Sequence, residues 1–223
     1  MEFPLLTLFS LLVFLLVLLV FFRLISISFV KLGVPRSLVG VLLVAILVGS
    51  FVNIPLFALS DETPERLFRS GRMFFRVPPQ VTTTVVAVNV GGAVIPFVLS
   101  ILLLTRAPLV RTAIGVVVVG AVAFAFARAI PGEGIVLNAF IPPVVAAVTA
   151  MVLAWRRAAP MAYISGVMGT IIGADLLHMS ELLDGRGTYL SIGGAGVFDG
   201  IFLVGIVAAF LSPASRDEKQ VVR

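Results

Sequence analysis

Two aspartates, one histidine and one asparagine are the residues of this chain best placed by type and surroundings to do chemistry. Asp175 lies in IIGADLLH and Asp199 in GGAGVFDGIF, both inside apolar, glycine-studded runs. A carboxylate in hydrocarbon is costly and is normally turned to a protein interior or a watery cavity. Two carboxylates held close share a proton and titrate as a unit. Such a pair suits carriage of protons or cations, or activation of water for peptide hydrolysis, as in aspartic proteases. With His178 and Glu181 it has donor types that suit a divalent metal. A hydrogen-bonded structural pair is the remaining reading. His178, the only histidine, is three residues from Asp175 and on the same helix face. Asn89, in VNVGGAVIP, is the candidate to orient a solute. Asp175 and Asp199 are thus the candidate catalytic residues, and Asn89, Asp175, His178 and Asp199 the candidate binding set. No metal is assigned, and the cofactor is left open.

The elements that must hold these residues are membrane helices. The 223 residues are 60% hydrophobic and 12% charged, against about 25% charged in soluble domains. Several apolar runs reach the roughly 20 residues that cross a bilayer. The sequence therefore predicts an all-α integral membrane bundle of about seven spans. They cover about 4–22, 37–57, 82–104, 112–128, 139–155, 161–178 and 192–212. Residues 1–212 form one transmembrane domain, and 213–223 a short polar tail. The first run lacks a positive start and a small-residue cleavage site, so it reads as a retained helix. The third span, with Asn89, Gly91, Gly92 and Pro96 after a Val/Thr-rich start, is expected to be kinked or broken. Broken helices in membranes often line a site.

The net charge of +5 lies mostly in loops and sets topology rather than binding nucleic acid. Ten of the sixteen lysines and arginines follow spans 1, 3, 5 and 7, which favours the N-terminus outside and the C-terminus in the cytoplasm. The Arg-rich stretch DETPERLFRSGRMFFRVPPQ, 61–80, opposes that bias. It suits a helix or loop at the headgroups, or a solvated loop. On this topology Asn53, Asn89, Arg128, Glu133, Asn138, Asp175, His178 and Asp199 all fall in one half of the membrane, whichever way the chain is oriented. With no cysteine, disulfide and thiol chemistry are excluded.

Spacing also marks packing surfaces. Gly166, Gly169 and Gly173 on span 6, and Gly193, Gly196 and Gly200 on span 7, repeat a three-then-four pattern. Small residues so spaced let helix backbones approach. Asn precedes Ile-Pro at NIP (53–55), NVGGAVIP (89–96) and NAFIPP (138–143), at unequal spacings.

NVGGAVIP, AYISGVMGTIIGADLLH and SIGGAGVFDGIFLVGIVA resemble a prokaryotic family of polytopic membrane proteins catalogued only as a domain of unknown function. The resemblance covers spans 2 to 7 and implies a small multi-pass protein without an established activity. A looser likeness is to intramembrane aspartyl proteases of the presenilin and prepilin-peptidase type, which carry one aspartate in Gly-x-Gly-Asp. Here Val197 and Phe198 intervene between Gly196 and Asp199, so that motif is not matched.

The function expected from the residues is binding or transport of a proton, a cation or a small polar solute. Alternatives are an aspartyl protease-like hydrolase, or a non-catalytic membrane scaffold or assembly factor. The expected partners are the lipid bilayer and, because seven helices are few for self-contained alternating access, a second copy of the chain.

Overall fold

The computed structural model describes residues 3–63, 66–70, 73–77, 80–130, 134–180, 189–194 and 200–213. The chain is mostly helical. Its helices are α1 (Phe3–Lys31), α2 (Arg36–Gly49), α3 (Ile95–Leu103), α4 (Leu109–Phe126), α5 (Ile141–Ala154), α6 (Ala158–Thr170) and α7 (Gly200–Leu211). π-helical turns at Val90–Val94 and Ile171–Leu176 precede α3 and follow α6. Three helical runs, Thr7–Lys31, Leu109–Phe126 and Ile141–Leu176, are long and apolar enough to cross a membrane. The last of these is folded back on itself. Ala154 (φ −148°, ψ 51°) and Arg157 (φ −130°, ψ 36°) leave the helical region, and α5 and α6 pack side by side.

The expectation of an all-α chain is corrected by strands. β1 (Asn53–Thr63) pairs antiparallel with β4 (Gln80–Asn89), and, in a separate two-stranded sheet, β2 (Arg66–Ser70) pairs antiparallel with β3 (Met73–Val77). β7 (Tyr189–Ile192) joins β4 in parallel, giving the order β1-β4-β7. β5 (Arg128–Ile130) and β6 (Gly134–Val136) form a small hairpin between α4 and α5. The second span therefore stops as a helix at Gly49 instead of 57, and the third begins as a strand instead of a helix. The run TTTVVAV, 82–88, explains the latter, since β-branched side chains are stiff in helices and suit a pleated surface. Pro55 has no N–H to give the ladder, and the register shifts between Pro55 and Phe57. The break in span 3 is thus a strand-to-helix change at Asn89. Pro96 sits in the first turn of α3, where a missing N–H is tolerated.

α6 is the central helix. Every residue from Ala158 to Val167 is buried, as expected of a helix that is apolar or small all round. Tyr163, Phe29, Phe202 and Ile25 are the large side chains of the core. Around them, α1, α4 and α5 expose Leu, Val and Phe over much of their surface, as suits a lipid-facing bundle.

At one end of the bundle, basic side chains cap helix C-termini. Lys31 Nζ donates to the carbonyls of Phe210 (2.6 Å) and Ser212 (3.0 Å). Arg106 Nη1 donates to Leu32 (2.9 Å), and Arg111 Nη1 to Leu153 (2.7 Å). The last carbonyls of a helix lack intrahelical partners and carry partial negative charge. Three basic residues read from the sequence as topology signals therefore also tie α1, α5 and α7 to their neighbours.

Candidate functional site

At the opposite end, the strands enter the helices through a junction rich in polar groups. Asn89 ends β4 with extended backbone (φ −79°, ψ 130°), and its Oδ1 accepts from Gly92 N at 2.7 Å. That is the N-cap role for which Asn is favoured. Its Nδ2 donates to Ser50 O at 2.7 Å and to Asn53 Oδ1 at 3.0 Å. Asn89 is fully buried, and both its amide hydrogens and its oxygen are engaged. One side chain therefore ties together the end of α2, the start of β1 and the π turn leading to α3.

β7 extends this network. Its parallel register sets Ala87 beside Ser191 and Val88 beside Ile192. Ser191 Oγ lies 2.8 Å from Asn53 Oδ1 and 2.9 Å from Gly194 O, and shares its single hydrogen between them. The chain then turns through Gly193 (φ +83°) and Gly194 (φ +72°), the left-handed region where glycine carries no Cβ penalty. Gly193 also packs hard against Ala93: a Cβ there would lie 2.5 Å from the Ala93 Cβ.

Asp175 meets this turn from the other side. It is half-buried on the π turn after α6, and its Oδ2 lies 3.4 Å from Gly193 N, long for a hydrogen bond. The structure thus brings two residues expected of the site, Asn89 and Asp175, to one junction. Each is on or next to a π turn, a rare feature found often at functional sites. Asn53, Ser191 and Ser50 complete the network, and the candidate set did not contain them. One signal was present: SIGGA at 191–195 repeats the pattern of NVGGA at 89–93, and both mark a strand end that turns on glycines.

His178 takes a different position. It is buried, and its Nδ1 lies 3.2 Å from Gly173 O and 3.0 Å from Ala174 O. Both partners are carbonyls, so Nδ1 carries the hydrogen. The ring packs on Phe124 at 4.8 Å. His178 closes the end of its own helix. Asn138 is exposed and accepts from Phe140 N at 3.0 Å, a local turn before α5. Asp199, Glu133, Glu181 and Gly196 lie outside the described residues. Among the described residues, no three His, Cys, Asp or Glu side chains gather as metal ligands would.

The glycines divide between neighbours. A Cβ on Gly173 would strike the Gly120 carbonyl of α4, and one on Gly169 would meet Val119 at 2.7 Å. A Cβ on Gly166 would lie 3.0 Å from Val204 Cγ1 of α7, whereas one on Gly200 would meet nothing within 4 Å. A Cβ on Gly205 would lie 2.6 Å from Val167 Cγ2 and 2.8 Å from the Tyr163 ring, a close approach that the three-then-four pattern did not include.

No curated protein and no solved structure matches the chain. The model of one family, described as "Protein of unknown function (DUF1614)", matches residues 47–211, about three quarters of the sequence, from the end of α2 to the end of α7. The polar junction and every residue named in it lie within that match. The chain belongs to the DUF1614 family.

Proposed function

We propose that this is a multi-pass membrane protein whose strand–helix junction binds, and passes across the bilayer, a proton, a cation or a small polar solute. The observation that carries the reading is the convergence of Asn89 and Asp175 on the Gly193–Gly194 turn, beside two π turns. Helix lengths support its depth. α2 has 14 residues and α7 has 12, about 21 and 18 Å long, against a hydrocarbon core of about 30 Å. The strands that flank them therefore begin within the membrane, where irregular backbone is tolerated only inside protein or along a watery cavity. In this reading Asp175 carries the charge or the proton, and Asp199, which precedes α7, is its partner carboxylate. Asn89 and Asn53 hold the backbone around them, and His178 fixes the helix end from which Asp175 projects.

The rest of the proposal is topological. About seven spans form one transmembrane domain over 1–212 with a tail at 213–223. The N-terminus lies outside and the C-terminus in the cytoplasm, so the capped helix ends face inward and the junction outward. The working unit is a homo-oligomer in the lipid bilayer. Flux measurements in proteoliposomes test the proposal. Asp175→Asn and Asp199→Asn should each lower proton or cation flux at least tenfold. Unchanged flux in both variants would remove the carboxylates from the mechanism. Cleavage of a membrane peptide, lost on either substitution, would favour a protease instead.

A further inference from the structure

Two hydroxyls of α6 have no partner among the described residues. Tyr163 Oη and Thr170 Oγ1 are buried and make no hydrogen bond, although Tyr163 is fully buried and Thr170 is 5% exposed. Buried polar groups are nearly always paired, so each exception calls for a cause. In this packing the hydroxyls contribute nothing that a Phe and a Val would not. They lie on one side of the helix. Residues 163, 167 and 170 fall within about 60° of one another, and the hydroxyl-bearing pair is separated by about 10 Å along the axis. Val167 lies between them, fully buried, with its Cγ2 against Gly205 of α7. Beyond Thr170 comes the π turn that carries Asp175. Beyond Tyr163, less than two turns away, α6 begins at Ala158.

We infer that Tyr163 and Thr170, with Val167 as a plug between them, form a gated proton path leading from Asp175 down α6. This rests on the transport reading above and narrows its substrate to the proton. In the packed state Val167 and Gly205 close the path, and water is kept out. When α6 and α7 part at this contact, a short file of water joins the two hydroxyls. Each hydroxyl accepts one proton and releases another, so no net charge stays on it. Hydrophobic constrictions in channels gate by the same drying and wetting. Among the described residues from Tyr163 to Thr170 none is charged, so this stretch of α6 offers a metal cation no counter-charge, whereas a hydrogen-bonded file needs none.

The test uses full-length protein in liposomes with a trapped pH-sensitive dye and an imposed pH gradient. Val167→Thr keeps the volume and puts a hydroxyl at the plug. It should raise proton entry at least fivefold, and adding Tyr163→Phe should return entry to the wild-type level. Alone, Tyr163→Phe and Thr170→Val should melt no lower than wild type, because neither hydroxyl is bonded in the packed state. Unchanged entry with Val167→Thr, or a clear fall in melting temperature with either hydroxyl deletion, overturns the path. Failure of the transport reading looks different. A Val167→Thr current that survives Asp175→Asn keeps the path and removes Asp175 from it. Wild-type flux that needs Asp175 while Val167→Thr adds nothing keeps the reading and removes the path.

Discussion

Asn53 and Asn89 stand across from each other in the β1–β4 ladder, and Asn89 Nδ2 donates to Asn53 Oδ1 at 3.0 Å. The first residue of β1 is thereby joined to the last residue of β4. Because Asn89 also reaches Ser50 and Gly92, this pair fixes where the strands end and the membrane helices begin.

Asn89→Ala should be strongly destabilising. It leaves the Ser50 carbonyl and the Gly92 N–H without their partner in a buried place, at about 1–3 kcal/mol each. Asn53→Ala, at a half-exposed position, should cost less. Thermal unfolding of the purified variants in detergent orders the two. Equal melting temperatures would remove Asn89 from its tying role.

Gly193→Ala and Gly200→Ala should separate cleanly. The first forces a Cβ onto left-handed backbone and into Ala93, whereas the second meets open space. We expect a marked loss of folded protein for Gly193→Ala and none for Gly200→Ala, read by fluorescence-detected size-exclusion chromatography.

Gly173→Ala should likewise separate from Gly40→Ala. At 173 a methyl strikes the Gly120 backbone, and at 40 nothing lies within 4 Å. The gain from replacing glycine inside a helix, about 0.5–1 kcal/mol, should appear as a higher melting temperature at 40. At 173 the melting temperature should fall.

Lys31→Met should loosen α7. It removes donors to two carbonyls at the end of that helix, a cap of about 0.3–2 kcal/mol. Faster proteolysis after residue 211 is the expected sign, with partial recovery in Lys31→Arg.

The chain has no cysteine, so single cysteines report orientation directly. A cysteine at the exposed Arg156 should react with an impermeant maleimide only from the cytoplasmic side, and one at Asn138 only from outside. The reverse pattern would invert the molecule without separating the junction residues.

Much of the bundle is legible in the sequence, because apolar runs of membrane length leave few alternatives. The α5–α6 hairpin follows from the break between the spans at about 139–155 and 161–178, where Arg156 and Arg157 must be kept out of hydrocarbon. The strands were hidden by the same signal. Between 51 and 59 the chain is as apolar as a helix, and only the β-branched run at 82–88 and Pro55 argue otherwise. Asn89 and Asp175 were readable as costly polar residues in apolar surroundings. Their meeting was not, since it depends on the parallel pairing of β4 with β7, about a hundred residues apart. Ser191 became visible only through that register. His178 shares a helix face with Asp175 by spacing, but the carbonyls at its own helix end hold it.

The most direct test of the shared carboxylate site replaces Asp175 and Asp199 together by cysteine. A disulfide requires Cα atoms within about 7 Å, and a short bifunctional reagent extends that reach. In native membranes the pair should oxidise or be bridged efficiently, placing both carboxylates in one site beside the Gly193 turn. Failure of both reactions, in folded protein whose two thiols each react singly, would contradict a shared site and with it the proposed role of Asp199.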